Sequence, residues 1–231
     1  IQRVEKIFDR KLAKKYGIEK ESQIGIMIHC GSRGFGHQIC SDYLRIFESK
    51  MSAYKIKVAD RQLVCLPIHS KHGQEYVKAM SAAANFAFVN REAITHQVRR
   101  AFEKVLGGKA ENYDLRLIYD VAHNIGKFEE HFIPGRRERK RVFVHRKGAT
   151  RSFPNQPVII GGSMETGSYF LVGKETALLK SFGSTAHGSG RTMSRTKAKR
   201  QVKGEKLWQE MKKRGIYVKA ASFSGLAEEA G

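Results

Sequence analysis

The chain has 231 residues, and its 43 Lys and Arg outnumber its 22 Asp and Glu to give a formal net charge of +21. This basic excess excludes acidic disordered tails and membrane spans, and at this length 41% hydrophobic residues with only 4 Pro supply a sizeable core. An isoelectric point near 10.1 favours a polyanionic partner, because Lys and Arg gain affinity for phosphates through counterion release.

The cysteines and the two chain ends bear on location and completeness. Cys30, Cys40 and Cys65 are an odd number without CxxC spacing, so we expect free thiols in a reducing compartment, the cytoplasm. The chain opens at Ile1 without the apolar run of a signal peptide and stops at Gly231 in mid-pattern. We therefore expect a fragment of a longer protein.

Apolar spacing predicts the elements of the first half. Helical periodicity runs over residues 2–16 and stops at Gly17. The apolar run 24–28 predicts a strand, which a glycine-rich turn and a helix to about Met51 follow. A long helix with an alanine-rich middle is predicted over residues 73–106, and its small residues indicate close packing.

The second half predicts short strands and then helices. Residues 115–119, 141–144 and 157–160 are β-type runs broken by glycine or charge. After Gly190, basic helical segments lead to a final strand at 216–218. This mixed order favours an α+β fold, with central mixed or antiparallel sheets surrounded by helices in one domain over residues 1–231.

The basic charge is concentrated in two blocks. Residues 134–151 hold eight Lys or Arg against one acid, and residues 191–214 hold ten against two. Each block can be no more than a solvated face of a helix or hairpin, since a charge run alone is a weak signal. Both blocks nevertheless flank candidate chemistry.

Two apolar runs each end in a histidine. His29 precedes the loop 30–34, whose glycines permit tight backbone approach and whose arginine suits phosphate. His123 lies between Asp120 and Asn124 at the end of a second run. Because imidazole is the commonest metal ligand, the two histidines could share one ion. Each histidine taken alone is more often structural.

Two further segments combine glycine with cations or hydroxyls. Residues 145–151 gather cations around one glycine, and residues 161–169 resemble a nucleotide-cradling loop in which backbone N–H groups and hydroxyls reach ligand oxygens. The second segment matches neither the Walker A nor the GxGxxG pattern. A plain glycine-rich hairpin is therefore the alternative.

The histidine at position 187 gives the sharpest prediction. Small residues flank His187 on both sides, and Arg191 lies four residues further on, where it can meet a phosphate charge. Histidine attacks phosphorus when its attacking nitrogen is unprotonated and a cation stabilises the developing charge. A buried structural histidine is again the alternative.

Taken together and in this order, these motifs resemble the RtcB family of GTP-dependent RNA-splicing ligases. The matching stretches are residues 29–34, 119–124, 145–151, 162–164 with 168–169, and 187–191. The resemblance runs through nearly the whole chain. Members of that family use GTP and manganese to join RNA ends carrying a 2′,3′-cyclic phosphate or 3′-phosphate to 5′-hydroxyl ends, through a covalent histidine–GMP intermediate.

The resemblance implies a role for each matching residue. His187 would carry the GMP, and His29 and His123 would be manganese ligands. RNA phosphates would be held by Arg33, Arg191 and Arg195. The guanylate would be surrounded by Asn124, Gly161, Gly162, Ser163, Met164, Ser168, His187, Gly188, Ser189 and Gly190. RNA would be the substrate, archease a partner, and no membrane would be involved.

The chain departs from the family pattern at several points. Further metal ligands, an Asp, a Cys and a His, are expected upstream of Ile1, and guanine-contacting Tyr and Lys residues beyond Gly231. The family usually has a longer segment between Phe153 and Pro157. Glu165 stands where Gly is usual, and its carboxylate changes the electrostatics near the nucleotide loop.

Two other functions stay open on the sequence alone. A ligase-like protein could hold RNA through its basic face without joining ends, which the missing upstream ligands would favour. The same histidines could also serve a metal-dependent RNA phosphoesterase, with water in place of GMP.

Overall fold

In the computed structural model, which describes residues 1–133, 135 and 138–230, the chain divides into two compact units, Ile1–Lys147 and Gly148–Gly231. Helices and antiparallel strand pairs occur in both units, so the predicted α+β class is confirmed. Among the described residues each sheet has two strands, in place of a larger central sheet. The expected domain over residues 1–231 stays a prediction.

The first unit consists of two principal helices and a hairpin, preceded by short elements. In chain order it contains β1 (Gln2–Arg3), α1 (Arg10–Lys15), β2 (Ile24–Gly25), α2 (Arg33–Lys50), α3 (Lys71–Leu106), β3 (Asn124–Phe132) and β4 (Arg139–Lys147). Short 3-10 helices lie at Met51–Tyr54, Arg61–Leu63 and Ala110–Tyr113. Pro134, Arg136 and Arg137 of the first basic block lie outside the described residues.

The helix predicted over residues 2–16 is wrong in extent. Asp9 begins α1 at Arg10, because its carboxylate accepts a hydrogen bond from the Leu12 N–H at 2.9 Å. The preceding segment pairs as β1 with β2. Since β1 offers only two residues, the strand predicted over 24–28 is shortened to its first two positions.

Helix α3 confirms the long helix predicted over residues 73–106. Ser70 caps its start, with its hydroxyl accepting from the Gly73 N–H at 3.1 Å. Its alanine-rich face packs closely on α2, since a Cβ added at Gly36 would lie 3.6 Å from the Cβ of Ala83. In the described part of the chain, no helix is long and apolar enough to cross a membrane.

Two predicted strands do not form. Residues 115–119 have no β-ladder partner among the described residues, and the Arg99 side chain donates to the Leu115 carbonyl at 2.9 Å instead. Ile216 and Val218 pack on the apolar cluster around Met211, and the indole of Trp208 donates to the Val218 carbonyl at 3.1 Å. An apolar run becomes a strand only where a second strand offers backbone partners.

The second unit alternates strand pairs with short helices. Its elements are β5 (Ala149–Arg151), β6 (Pro157–Ile160), β7 (Tyr169–Val172), α4 (Glu175–Ser181), β8 (Ser184–Ala186), α5 (Arg195–Gln201), α6 (Gly204–Lys213) and α7 (Phe223–Glu228). β5 pairs with β8, and β6 pairs with β7. The strands predicted at 141–144 and 157–160 and the basic helices after Gly190 are confirmed.

The short connection between Phe153 and Pro157 forms a closed turn. The Gln156 N–H donates to the Phe153 carbonyl at 3.0 Å, and the Asn155 N–H donates to the Gly173 carbonyl at 3.1 Å. Asn155 adopts a left-handed φ of +60°, which asparagine tolerates. The five residues 152–156 therefore suffice to join β5 to β6.

Candidate metal and nucleotide sites

The first unit brings His29 and His123 together. Their Nε2 atoms are 3.0 Å apart, and the rings meet edge to face with centroids 5.1 Å apart. Adjacent ligands of an octahedral ion bound at about 2.1 Å lie about 3.0 Å apart, so the pair suits a shared ion. His29 is exposed and His123 is half-buried, which leaves solvent access to the pair.

Helix α2 begins immediately after the His29 loop. Arg33 is its first residue, with a φ of +53°, and the residue is exposed. Ser32 precedes it as the N-cap, and a Cβ added at Gly36 would collide with the Ser32 hydroxyl. Arg33 therefore stands at the start of a helix, where an anion is also favoured by the helix dipole.

The β3–β4 hairpin begins immediately after His123. Asn124 pairs with Lys147 at its open end, and Gly126 pairs with His145. The Gly126 N–H also lies 3.2 Å from the sulfur of Met80, which attaches β3 to α3. A Cβ at Gly126 would collide with the ring of Phe143. Glycine at 126 therefore allows the close packing that places His123.

His145 is a neutral partner of a tyrosine. The phenol oxygen of Tyr76 lies 2.9 Å from its Nε2. Burial, followed by the nearby Cys40, raises the pKa of Tyr76 to about 12, and burial lowers the pKa of His145 below its usual 6.5. Near neutral pH a protonated phenol therefore shares a hydrogen bond with an uncharged imidazole.

Arg146 belongs to a buried ionic cluster in the hairpin. Its two Nη atoms donate to the Glu129 carboxylate at 2.9 and 2.8 Å, and His131 Nε2 lies 2.9 Å from the same carboxylate. The side chains of Arg146 and Glu129 are 2% and 4% exposed. Arg146 is therefore internal, although the sequence groups it with the cations of residues 145–151.

The glycine loop of the second unit is hydrogen-bonded to the segment around position 187. The Gly161 N–H donates to the His187 carbonyl at 3.1 Å, and the Ser189 N–H donates to the Gly161 carbonyl at 2.8 Å. Gly188 has a φ of +154°, and a Cβ there would collide with the Gly161 backbone. The two segments are therefore joined by their backbones at a position that only glycine fits.

Hydroxyl groups hold the glycine loop in shape. The Gly162 N–H donates to the Ser168 hydroxyl at 3.0 Å, and the Ser163 N–H donates to the Thr166 hydroxyl at 2.8 Å. A Cβ at Gly162 would collide with the carbonyl oxygens of Thr166 and Gly167. The loop thus folds tightly on itself.

His187 follows strand β8 and is half-buried. A Cβ added at Gly148, which has a φ of +65°, would lie 3.4 Å from its Cδ2 atom. The ring therefore packs over a glycine in the segment leading to β5. Its backbone is also held by the glycine loop, so β8 and that loop together position this side chain.

Glu165, the departure from the family pattern, is neutralised locally. Its carboxylate lies 3.1 Å from Nη1 of Arg214, and both side chains are about half exposed. Met164 beside it packs against the apolar cluster of Leu207, Met211 and Leu226. Arg214 therefore supplies the positive charge that offsets the Glu165 carboxylate.

Two of the three arginines expected to hold RNA phosphates are already paired with acids at the C-terminal end of α7, Glu228 and the C-cap residue Glu229. Arg191 donates to the Glu228 carbonyl at 2.6 Å and to the Glu229 carboxylate at 2.7 Å. Arg195 lies 3.2 Å from the Glu228 carboxylate. A hydrogen bond from Lys199, and the charges of Lys199, Arg195 and Arg191, lower the pKa of Glu228, so this acid remains ionised.

Sequence reasoning missed a polar contact between α3 and the histidine loops. Arg91 hydrogen bonds to both loops, and Asn90 donates to the Gly31 carbonyl at 2.8 Å. Helical spacing in the sequence could have revealed this contact, because Arg91 follows Ala83 and Ala87 at intervals of four residues and so shares their face of the helix. All three residues are buried in the structure. An arginine on a buried face of small residues indicates a specific polar partner.

The fold and these sites define an α+β protein with a histidine pair suited to a metal ion and a glycine loop joined to a further histidine. The family model described as tRNA-splicing ligase RtcB matches residues 1–231, the whole chain. The chain belongs to this family, and the resemblance drawn from its motifs is confirmed.

Curated relatives agree with the family assignment. The proteins named tRNA-splicing ligase RtcB from Archaeoglobus fulgidus and Pyrococcus abyssi are 50% and 51% identical over 243 residues, covering 100% of this chain and 50% and 26% of their own lengths. That from Nanoarchaeum equitans is 49% identical over 242 residues, covering 99% of this chain and 50% of its own. The chain thus spans about half or less of the length of each of these relatives.

Proposed function

We propose that this chain carries the nucleotidyl-transfer centre of an RNA ligase. It joins RNA ends bearing a 2′,3′-cyclic phosphate or 3′-phosphate to 5′-hydroxyl ends, using GTP and Mn²⁺. The observation that best supports this proposal is the bond between the Gly161 N–H and the His187 carbonyl, in a chain that belongs to the RtcB family. This bond joins the glycine loop 161–169, which resembles a nucleotide-cradling loop, to the backbone of His187.

In this proposal His187 is the nucleophile. Its unprotonated nitrogen attacks the α-phosphorus of GTP, an N–P bond forms, and the bond to the departing pyrophosphate breaks. The GMP then passes to the RNA 3′-phosphate, and the 5′-hydroxyl displaces it as the phosphodiester forms. The guanylate is held by Asn124, Gly161, Gly162, Ser163, Met164, Ser168, Gly188, Ser189 and Gly190.

His29 and His123 are the proposed metal ligands in this chain. Their 3.0 Å separation and solvent access fit a shared ion. Mn²⁺ accepts imidazole in mixed sites and, when bound, supplies Lewis-acid stabilisation of charge on a phosphate. The two residues hold their nitrogens in place and leave the other coordination positions to further ligands.

The basic surface would receive the RNA. Arg33, Arg191 and Arg195 are the proposed phosphate contacts, since such contacts position a nucleic acid without reading its sequence. Arg33 is exposed at the start of α2, whereas Arg191 and Arg195 must exchange the acids of α7 for phosphate. We further propose archease as a partner and the cytoplasm as the location, on the family resemblance.

Covalent labelling tests the proposal. Incubation with GTP labelled at the α-phosphate and Mn²⁺ should leave acid-labile label on the protein, and His187→Ala should abolish it. His69→Ala, at an exposed histidine, is the matched control and should retain the label. Label that persists in His187→Ala would remove this residue from the mechanism.

The same assay separates the alternatives. RNA affinity that falls steeply with salt, without label or joined product, would indicate a protein that only holds RNA. Release of phosphate from RNA ends without joining would indicate a phosphoesterase.

A further inference from the structure

Arg91 of helix α3 contacts both of the loops that carry the paired histidines. Its Nε lies 2.6 Å from the Asp120 carboxylate, and its Nη1 donates to the Cys30 carbonyl at 3.1 Å. Cys30 directly follows His29, and Asp120 stands three residues before His123. One guanidinium therefore links two segments that are about ninety residues apart in sequence.

The surroundings hold this guanidinium in one orientation. Its Cζ lies over the ring of Phe88, 4.5 Å from the centroid, and only 10% of the side chain is exposed. Asn90, the adjacent residue, donates to the Gly31 carbonyl at 2.8 Å and contacts the Cys30 sulfur at 3.2 Å. Two consecutive residues of helix α3, Asn90 and Arg91, therefore hydrogen bond to the His29 loop.

Net stability alone does not account for the arrangement. The cost of desolvating a buried arginine and carboxylate offsets much of their attraction, and apolar residues of similar size often stabilise a core equally well. Arg91 Nη2 is buried and has no hydrogen-bond partner among the described residues, a further cost. The planar guanidinium does fix the positions of its two acceptors, the Cys30 carbonyl and the Asp120 carboxylate, relative to each other.

We infer that Arg91 is a positioning residue for the histidine pair, which sets the separation of the His29 and His123 nitrogens by holding the Cys30 carbonyl and the Asp120 carboxylate on one guanidinium. It acts through the backbone carbonyl of Cys30 and the side-chain carboxylate of Asp120. The consequence for Mn²⁺ rests on the proposed function, whereas the effect on ring geometry does not.

Two measurements on the full chain test this role. The first, without metal, is the nuclear Overhauser effect between ring protons of His29 and His123, assigned with His29→Ala. The second is Mn²⁺ affinity by calorimetry. Arg91→Leu should lose the ring contact and weaken Mn²⁺ binding about 10- to 100-fold, the usual effect of removing support behind a ligand. Arg91→Lys, which reaches one acceptor at a time, should be intermediate.

Arg99→Leu is the matched control. Arg99 lies two helical turns further along α3 and also hydrogen bonds to a loop carbonyl, that of Leu115, whereas among the described residues its side chain has no hydrogen bond to Cys30 or Asp120. The variant should leave both measurements unchanged. If Arg91→Leu is folded by circular dichroism and keeps both the ring contact and the Mn²⁺ affinity, the positioning role is overturned.

A second variant covers the case in which Arg91→Leu does not fold. Asp120→Asn keeps the size and one acceptor oxygen but removes the charge, and it should weaken Mn²⁺ binding with the fold intact. An unchanged affinity and ring contact would overturn the role. If the unsubstituted chain binds no Mn²⁺, the proposed metal function fails, while the ring contact in Arg91→Leu still decides the positioning role.

Discussion

The phenol oxygen of Tyr76 lies 2.9 Å from Nε2 of His145, and this bond joins helix α3 to the β3–β4 hairpin. His145 pairs across the hairpin with Gly126, three residues after His123. Arg91 of the same helix holds Asp120, three residues before His123. Helix α3 therefore supports this histidine from both directions along the chain.

Removing the phenol hydroxyl tests the first of these supports. Tyr76→Phe should lower the free energy of unfolding by about 0.5–1.5 kcal/mol, because His145 Nε2 loses its hydrogen-bond partner while packing is retained. Urea denaturation measures the change. Tyr217→Phe, at a tyrosine that is 87% exposed, should have no effect, and an equal effect in both variants would contradict the prediction.

The lowered pKa of His145 predicts a pH dependence of stability. The folded state binds fewer protons at this residue than the unfolded state, so stability rises with pH. The stabilisation that His145 contributes is fully present above its unfolded pKa of about 6.5. It is lost as the pH falls through the lower pKa of this residue in the folded state. Urea denaturation from pH 8 to about pH 5 should show the decline, and His145→Gln should flatten it. His96→Gln, at an exposed position, should not.

The buried cluster around Glu129 predicts a large loss of stability. Arg146→Leu leaves the Glu129 carboxylate buried without its guanidinium, which should cost about 3–5 kcal/mol in denaturant unfolding. Arg141→Leu, at an exposed position on the same strand, is the control and should cost far less. The double variant Glu129→Gln with Arg146→Leu should recover part of the loss, and failure to recover any would contradict the ionic explanation.

The acids of α7 predict a gain in RNA affinity when they are removed. Glu228→Gln with Glu229→Gln removes the carboxylate charges paired with Arg191 and Arg195, so binding of a single-stranded RNA should tighten and its salt dependence should steepen. Glu205→Gln with Glu210→Gln makes the same change in net charge on α6. Fluorescence anisotropy across a salt series compares them, and an equal gain would attribute the effect to net charge alone.

The tight glycine loop predicts a selective loss of nucleotide chemistry. Gly162→Ala places a Cβ against the Thr166 and Gly167 carbonyls and must open the loop. It should abolish labelling by GTP while circular dichroism and Mn²⁺ binding stay unchanged. Gly167→Ala, in the same loop but with open space around its Cβ position, should keep the label. Normal labelling of Gly162→Ala would show that loop shape does not control the reaction.

Periodic patterns in the sequence predicted those elements whose partners are local. Helix α3 carries its own hydrogen bonds, and the strands at 141–144 and 157–160 meet neighbours close along the chain. The runs 115–119 and 216–218 have the same apolar character, but no described strand offers them a ladder. Strand formation depends on a second segment, which a local pattern does not reveal.

The candidate site was predicted in its residue types but not in its supports. His29 and His123 were expected to share an ion, and their nitrogens do lie together. Arg191 was expected to hold a phosphate but is paired with Glu229, and Arg146, one of the cations expected around Gly148, is buried against Glu129. Charge is visible in a sequence, whereas the acid that neutralises it is brought near by the fold.

The backbone bonds between Gly161 and the residues flanking Gly188 have a pharmacological consequence. A small molecule that binds beneath the glycine turn and breaks those bonds would also displace the imidazole of His187, because the same backbone bonds hold its main chain. Under the proposed function, one inhibitor of modest size would then act on the nucleotide loop and on the nucleophilic histidine together, without competing for RNA.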